Sequence, residues 1–452
     1  MRRLFGTDGV RGVVNKELTT EMAMSIGRAL CTVLSLSGKY RPRVLIGSDT
    51  RLSSEMLASA LGAGVCSAGG DVINIGVIPT PSVAYLVRKY GATAGIVISA
   101  SHNPHEYNGI KIFNDEGFKL SDELEEEIES IVLDKNPPPA IAEPEKIGRF
   151  LDTPPAITDY SEYVKAFSDV SLSGLRIGID CANGASYITA KEIFPALGAE
   201  CVFIGDGPDG ININKDCGST HIERLGELVR TKGLDLGIAF DGDADRCLSV
   251  DENGCEVDGD FIMAILADDL KKQGRLTKNG VVGTVMTNLG FVKYCEANGL
   301  NFLAAKVGDR YVLEMMRSGG YSFGGEQSGH IILSDYSTTG DGQLTAVALL
   351  SAIKRSGKTL SELASIMKKY PQYTVNVAAT ADDKVVFFSD EEIKAAIKRA
   401  EEALAGDGRI LARPSGTEPY IRIMAESSSV EKTREVAEKT AEFITLRLAT
   451  YK

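Results

Sequence analysis

Positive charge is in short supply in this 452-residue chain: 49 lysines and arginines face 62 aspartates and glutamates, a formal net charge of −13. A surface of that sign repels polyphosphate backbones at long range, which argues against nucleic acid as a partner. An anionic small molecule would have to be captured by a local concentration of cationic groups. No apolar run approaches the roughly 18 residues of a membrane span, so no membrane partner is expected. The opening Met1-Arg2-Arg3-Leu4-Phe5-Gly6-Thr7-Asp8 is charged and lacks the apolar stretch of a signal peptide, which predicts a cytoplasmic protein. The eight cysteines contain no C-x-x-C pair. Reduced, mostly buried thiols are expected, with no catalytic or metal role. A G-x-x-x-x-G-K-[ST] nucleotide loop is missing as well, which counts against a kinase.

Apolar residues make up 43% and charged residues 25%, the balance of an ordinary globular protein, and at roughly 150 residues per domain the length suggests about three domains. The prolines at 137–139, 144 and 154–155 cannot continue a helix or a central strand, so 134–157 reads as a linker. A second break falls near Tyr370-Pro371-Gln372. Before and between the breaks a buried strand, a turn, a helix and a second strand recur from Arg43, from Arg176 and from Val281. Three such βαβ units predict three similar α/β domains with mixed, largely parallel sheets. The tail reads as a smaller C-terminal α+β domain: a strand over 374–378, a capping box at Ser389-Asp390-Glu391-Glu392, strands near 410–413 and 420–425, and a last helix from about Ser428. The expected domains are 1–150, 158–256, 257–370 and 371–452.

Each α/β copy also has an apolar run ending in an unusual loop, and ligands of open α/β sheets bind beyond the carboxyl ends of strands. Three such loops in register suggest one shared site. The first is Ser99-Ala100-Ser101-His102-Asn103-Pro104. It is either a polar turn, or a serine that carries a phosphoryl group on an exposed loop with His102 assisting proton transfer. A Ser-His-Asp hydrolase would need a G-x-S-x-G elbow here, and there is none. The second is Asp241-Gly242-Asp243-Ala244-Asp245-Arg246. Three alternate carboxylates can converge on a hard cation such as Mg²⁺. A calcium loop ending at Glu252 is the rival, weakened by Arg246 where glycine is required and by the strand that precedes the loop. The third, Gly324-Gly325-Glu326-Gln327-Ser328-Gly329-His330, places Glu326 and Ser328 on one side of an extended segment, suited to sugar hydroxyl or amino groups. A glycine-rich turn with a surface glutamate is the alternative. The fourth, Arg413-Pro414-Ser415-Gly416-Thr417-Glu418-Pro419 with Arg422 beyond it, combines small residues and arginines into an anion nest, unless Arg413 simply pairs with Glu418. Arg11 stands on a glycine-flanked N-terminal loop, and Lys111 is held between Ile110 and Ile112 or is a solubilising surface residue.

Taken in order, F-G-T-D-G-V-R-G at 5–12, S-A-S-H-N-P at 99–104, D-G-D-A-D-R at 241–246, G-G-E-Q-S-G-H at 324–330 and R-P-S-G-T-E-P at 413–419 resemble the α-D-phosphohexomutase superfamily over essentially the whole chain. Gln327, Thr338-Thr339-Gly340-Asp341-Gly342 and Asp180-Cys181-Ala182-Asn183-Gly184 are similar to its glucosamine-phosphate branch. The resemblance implies four domains around a central cleft and a covalent phosphate on Ser101. It implies one Mg²⁺ per subunit held by Asp241, Asp243, Asp245 and an oxygen at Ser101. His102, Lys111, Arg246 and Arg11 would stabilise charge and move protons. Glu326, Ser328 and His330 would meet the sugar, and Arg413, Ser415, Gly416, Thr417 and Arg422 the phosphate that is not reacting. The implied activity is an isomerase that interconverts glucosamine 6-phosphate and glucosamine 1-phosphate through a 1,6-bisphosphate. Mannose- and glucose-phosphate mutases, and a non-catalytic sugar-phosphate binding protein, are the alternatives; a homodimer is left open. The superfamily often has glycine where this chain has Ser54, and differs at His105-Glu106-Tyr107, but neither departure touches a carried-over residue.

Overall fold

The computed structural model describes residues 3–6, 8–38, 41–415 and 419–451. The first sheet holds β1 (Val10–Val13), β2 (Arg43–Ser48), β3 (Asp71–Val77), β4 (Ala94–Ile98) and β5 (Tyr107–Asn114) in the order β1-β5-β4-β2-β3. The β4-β2-β3 core is parallel and the other pairings are antiparallel. Its strands are apolar on both faces because helices cover both. Val44, Ile46, Ile96 and Ile98 pack with residues of the Thr20–Leu36 and Ser54–Ser67 helices, while Leu45, Ile73 and Val97 pack with those of the Thr80–Lys89 helix.

The same topology returns twice. The second sheet is built from β6 (Arg176–Asp180), β7 (Glu200–Ile204), β8 (Leu236–Phe240), β9 (Cys247–Val250) and β10 (Glu256–Val257), ordered β10-β9-β8-β6-β7. The third has β11 (Gly280–Thr284), β12 (Asn301–Ala305), β13 (Phe323–Gly325) and β14 (Ile331–Leu333), ordered β12-β11-β13-β14. In every copy three parallel strands are followed by one that turns back antiparallel beside the third. The loops singled out from the sequence leave the ends of β4, β8 and β13, the third strand of each copy.

The stretch from 134 to 157, read as a linker, is tied to the first sheet, and its last two residues open the Ala156–Lys165 helix. Arg149 O accepts from Val72 N at 2.9 Å, Leu151 N donates to Val72 O at 2.8 Å, and Phe150 forms a parallel bridge with Val72. Its prolines bar it from the interior of a sheet and leave the open edge beside β3 available to it.

A second compact unit comprises 288–297 and 367–452. It contains β15 (Gln372–Ala378), β16 (Gly408–Pro414) and β17 (Tyr420–Ser427), antiparallel in the order β15-β17-β16, with its own core from Val377, Ile393, Leu404, Ile421, Ile423 and Ile444. The Glu391–Leu404 helix is capped one residue later than the sequence suggested. Asp390, not Ser389, accepts from Ile393 N at 2.9 Å, because Ser389 closes a preceding helix, Ala381–Ser389, that the sequence pattern hid. All eight cysteines are free, and five are buried. No helix among the described residues is long and apolar enough to cross a membrane.

Candidate active site

The loop after β4 places Ser101 in the left-handed region, at φ 52°. Its side chain is not on an exposed loop, as the sequence suggested, but buried at 1% exposure. Arg51 draws the loop inward. Its guanidinium donates to the carbonyls of Ser101 (3.0 Å), Asn103 (2.8 Å), Tyr107 (3.0 Å) and Pro104. Asp49 accepts from Arg51 Nε at 2.8 Å and from the hydroxyls of Ser99 (2.6 Å) and Ser54 (3.0 Å), and Ser99 Oγ in turn accepts from Ser101 N. A left-handed non-glycine residue costs about 1 kcal/mol or more, and this buried network holds it. The sequence reading missed Asp49 and Arg51. Their signal was available: they follow β2, which pairs directly with β4, so they sit beside the serine loop.

Replacing Arg51 by methionine should therefore orphan several buried acceptors and leave Asp49 without its counter-ion. A stability loss of about 3–5 kcal/mol is expected from breaking a buried ion pair, with turnover lowered by about 10²-fold or more. A variant that matched the parent in melting temperature and rate would show that the serine loop supports itself.

Ser101 Oγ donates to Asp241 Oδ2 at 2.6 Å and lies 3.4 Å from His102 Nδ1. Burial first, then the charges of Arg246 and Arg11, pull His102 down to about 4, so its ring is neutral near pH 7. The loop after β8 reaches Ser101 because residue 242 is glycine: a Cβ there would stand 2.6 Å from Ser101 O. Asn214, another residue the sequence reading missed, donates Nδ2 to Ser101 O at 2.9 Å.

The three aspartates converge, with ligand atoms within 4.8 Å of one another and all buried. Burial, reinforced by the charges of Asp245 and Asp243, pushes the Asp241 carboxyl well above its ordinary range. For Asp245, burial is outweighed by Lys111 and then His330, which hold its carboxyl low. Asp243 Oδ2 accepts from Thr80 Oγ1 (2.6 Å) and Lys111 Nζ (2.8 Å). Asp245 Oδ2 faces Lys111 Nζ and His330 Nδ1, each at 3.6 Å. The other oxygens, Asp243 Oδ1 and Asp245 Oδ1, are buried with no hydrogen-bond partner. Carboxylates gripped from behind, with one oxygen each left without a hydrogen bond, suit a cation site, although Asp245 Oδ1 also faces Arg246 Nε at 3.8 Å. The donors are all oxygen, which suits a hard divalent ion. Glu252 takes no part: it accepts from Ser361 N at 3.2 Å, so the calcium-loop alternative fails.

Lys111 is not a surface residue. Its side chain is 1% exposed and pairs with Asp243 and with Asp8 Oδ2 at 3.0 Å. Arg11 pairs with Asp8, and Arg246 Nε stands 3.8 Å from Asp245 Oδ1. The Nε groups of both arginines are buried without a hydrogen-bond partner.

Glu326, Gln327 and Ser328 do not lie along an extended segment. They form the tight turn of the β13–β14 hairpin, closed by Glu326 N to His330 O (3.0 Å) and Gly329 N to Glu326 O (2.9 Å). The short strands leave only this turn between them, which Gly329, at φ 89°, makes feasible. Glu326 Oε1 accepts from Gly308 N at 3.1 Å, and Ser328 Oγ is buried and unpartnered. Gln327 turns away toward Asp258, the cap of the Gly259–Lys272 helix, at 3.2 Å. His330 sits behind the triplet at 3% exposure and accepts from Gly340 N at 3.0 Å. A Cβ at residue 340 would stand 2.5 Å from the imidazole, so only glycine admits the ring.

In the second unit, Arg413 of β16 and Arg422 of β17 are cross-strand partners. Burial, and then the charge of Arg422, lowers Arg413. Like charges placed directly opposite are unfavourable unless an anion joins them. Arg422 Nη2 donates to Tyr420 Oη at 3.1 Å. Ser415 is buried, whereas Gly416 and Thr417 lie outside the described residues.

Family models described as phosphoglucomutase/phosphomannomutase match the chain in sequence order: alpha/beta/alpha domain I at 2–138, domain II at 158–254, domain III at 258–370 and the C-terminal domain at 375–443. Phosphoglucosamine mutase of Clostridium novyi is 54% identical over 98% of this chain and 99% of its own length. That of Acetivibrio thermocellus is 53% identical over 98% and 97%. The chain belongs to the phosphoglucomutase/phosphomannomutase family. It shares the fold of a phosphoglucomutase/phosphomannomutase family protein from Burkholderia thailandensis, with a TM-score of 0.81, 23% identity and 98% of both chains covered. N-acetylphosphoglucosamine mutase of Aspergillus fumigatus gives 0.68 at 18% identity, over 98% of this chain and 96% of the other.

Membership makes the chain a phosphohexomutase, an isomerase, and metal use goes with the family. The phosphohexomutase reading also explains the motifs used to recognise its branch. Gly340 and Asp341 back the site, with Asp341 capping the Gly342–Ser356 helix through Leu344 N at 3.0 Å. Asp180 fixes its own turn through Ala182 N at 2.9 Å, and Ala185 N donates to Gly242 O at 2.8 Å.

Proposed function

We propose that the chain interconverts glucosamine 6-phosphate and glucosamine 1-phosphate, with Ser101 as the phosphoryl carrier. One observation carries the reading. Five buried polar atoms without partners fall on residues chosen from the sequence: Asp243 Oδ1, Asp245 Oδ1, Arg11 Nε, Arg246 Nε and Ser328 Oγ. Native interiors rarely leave such groups unpaired, and a cation for the first two and a sugar phosphate for the rest would satisfy all five. The choice of amino sugar is supported by the name shared by the relatives at 51–54% identity.

Asp241, Asp243 and Asp245 would hold Mg²⁺, with an oxygen at Ser101 beside them. Bound there, the ion neutralises charge on the transferring phosphoryl group. Arg11, Arg246 and Lys111 add positive charge on a protein that is otherwise acidic. A sugar hydroxyl attacks the phosphorus of a phosphorylated Ser101; its O–P bond forms as the Ser101 Oγ–P bond breaks, and the hydroxyl proton passes to a base that returns it to the departing Ser101 Oγ, which lies 3.4 Å from His102 Nδ1. His102, neutral near pH 7, is in the form that takes it, and a dianionic phosphoryl group alongside would raise its basicity. The resulting 1,6-bisphosphate then returns its other phosphoryl group to Ser101 Oγ. Glu326 and Ser328 meet the sugar, and the Arg413–Thr417 loop with Arg422 holds the phosphate that is not reacting. Such an enzyme would work in the cytoplasm, where sugar phosphates are handled.

A panel of glucosamine, glucose and mannose phosphates offered to the purified protein tests the assignment. The highest kcat/KM is expected for glucosamine phosphate, and a clear preference for mannose or glucose phosphate would move the chain to another branch. Arg413→Ala should weaken capture of both the 1-phosphate and the 6-phosphate by about ten- to a hundredfold, since a charge-assisted contact is worth roughly 1.5–3 kcal/mol. It should also raise release of the bisphosphate. Unchanged affinity and unchanged leakage would make the loop a plain turn.

A further inference from the structure

Behind the three aspartates, acids and bases alternate in a chain. Lys111 Nζ bridges Asp243 (2.8 Å) and Asp8 (3.0 Å). From Asp8 the path runs to Lys119 Nζ at 2.5 Å and from Lys119 to Asp309 Oδ2 at 2.5 Å. The chain ends there: His330 Nε2 is 3.6 Å from Asp309 Oδ2 but accepts from Gly340 N, and only its Nδ1 faces the triplet, 3.6 Å from Asp245 Oδ2. The members come from three parts of the chain. Asp8 belongs to the N-terminal segment, Lys119 follows β5 and is fixed by a bridge to Phe113, and Asp309 opens the Asp309–Gly319 helix. Most are deeply enclosed, and Asp8, Lys119 and Asp309 keep side-chain exposures of only 22%, 16% and 18%.

We infer that Asp8, Lys119 and Asp309 are positioning residues of this active site, the outer arc of a charge chain that holds Lys111 against the rear oxygen of Asp243. The inference rests on the metal role of the triplet proposed above. Lys119, itself fixed by Asp309, holds Asp8 Oδ1; without it Asp8 is free to turn to Arg11, and Lys111 would keep only the triplet's own carboxylates and be drawn further among them. It would then compete with a cation for the oxygens that face forward. With the arc in place, Asp8 holds Lys111 back on Asp243 Oδ2 and leaves Oδ1 bare. Groups that orient ligands from behind typically change metal affinity or activity by 10–100-fold when removed. Sugar binding is insulated from the arc, because Glu326 is held by the backbone N–H of Gly308 and not by the Asp309 side chain.

The test uses Mn²⁺ as the probe, titrated into the full chain and followed by the electron paramagnetic resonance of the free ion. The proteins are the parent, Lys119→Met, Asp309→Asn, their combination, Lys119→Arg, and Asp243→Asn as control. Each single change in the arc should weaken Mn²⁺ binding about tenfold and lower kcat by a similar factor, with KM for the sugar phosphate within about twofold. The combination should be little worse than either single change, since both break one chain. Lys119→Arg should recover most of the loss. If Asp309→Asn does not fold, Asp309→Glu keeps the charge and displaces the carboxylate, and it should show the same split. Parent-like Mn²⁺ affinity in the arc variants, or lowered melting temperature with metal binding untouched, overturns the inference while the metal reading stands. Failure of the parent itself to bind Mn²⁺, or parent-like binding by Asp243→Asn, overturns both.

Discussion

Ser101→Ala is expected to lower turnover by about 10⁴-fold or more while the protein stays folded. A phosphoryl carrier has no substitute nearby: Ser99 Oγ is occupied by Asp49 and by the N–H of Ser101, and loss of a nucleophile commonly costs several orders of magnitude. Folding should survive because alanine fits the space and tolerates φ 52° about as well as serine does. The change removes one hydrogen bond, Ser101 Oγ to Asp241 at 2.6 Å, worth about 1 kcal/mol. In a chain of several domains that shifts the melting temperature by no more than about 4 °C. The chemical counterpart is peptide mass spectrometry of the active parent protein, which should place phosphate on 99–104 at Ser101. Phosphate at some other residue, with Ser101 bare and Ser101→Ala active, would end the carrier assignment.

Asp243→Asn is expected to be nearly as severe, through charge rather than shape. Asparagine keeps a carbonyl oxygen for Thr80 and Lys111, and Lys111 retains Asp8 at 3.0 Å, so the local packing can persist. What disappears is one of three anions facing a divalent cation. Mg²⁺ affinity should fall by about 10²-fold or more, and the rate at fixed Mg²⁺ with it. Thermal unfolding gives a readout independent of turnover. At a Mg²⁺ concentration 100 times its dissociation constant the parent should gain about 2.7 kcal/mol, whereas Asp243→Asn at the same concentration should gain much less. Full activity after exhaustive chelation, or equal Mg²⁺ stabilisation of both proteins, would make the triplet a structural turn.

Gln327 and Ser54 show how a residue can be informative in sequence for a reason that sequence does not disclose. Gln327 carries part of the sequence resemblance to the glucosamine-phosphate branch, yet its amide points at the cap of a neighbouring helix and ties down the hairpin that carries Glu326 and Ser328. Ser54 departs from the superfamily's usual glycine and uses its hydroxyl on Asp49, inside the cluster that holds the serine loop.

The sequence by itself determined the repeated strand–helix–strand units, the ends of their buried strands and the polar loops that leave them. These are local properties: near-continuous apolar runs, glycines and prolines at turns, and carboxylates at alternate positions. From them followed the α/β class, the smaller C-terminal α+β piece and the candidate residues Ser101, Asp241, Asp243 and Asp245. Only the tertiary structure decided which side chains stand behind those residues, because partners more than a hundred positions apart leave no periodic trace. Lys111 and Asp243 are separated by 132 residues and Thr80 and Asp243 by 163. Burial of Ser101 depends on Arg51 closing over carbonyls some fifty residues away. The place of His330 behind the three aspartates, and the chain through Asp8, Lys119 and Asp309, likewise arise from charges that must find opposite charges once they are withdrawn from water.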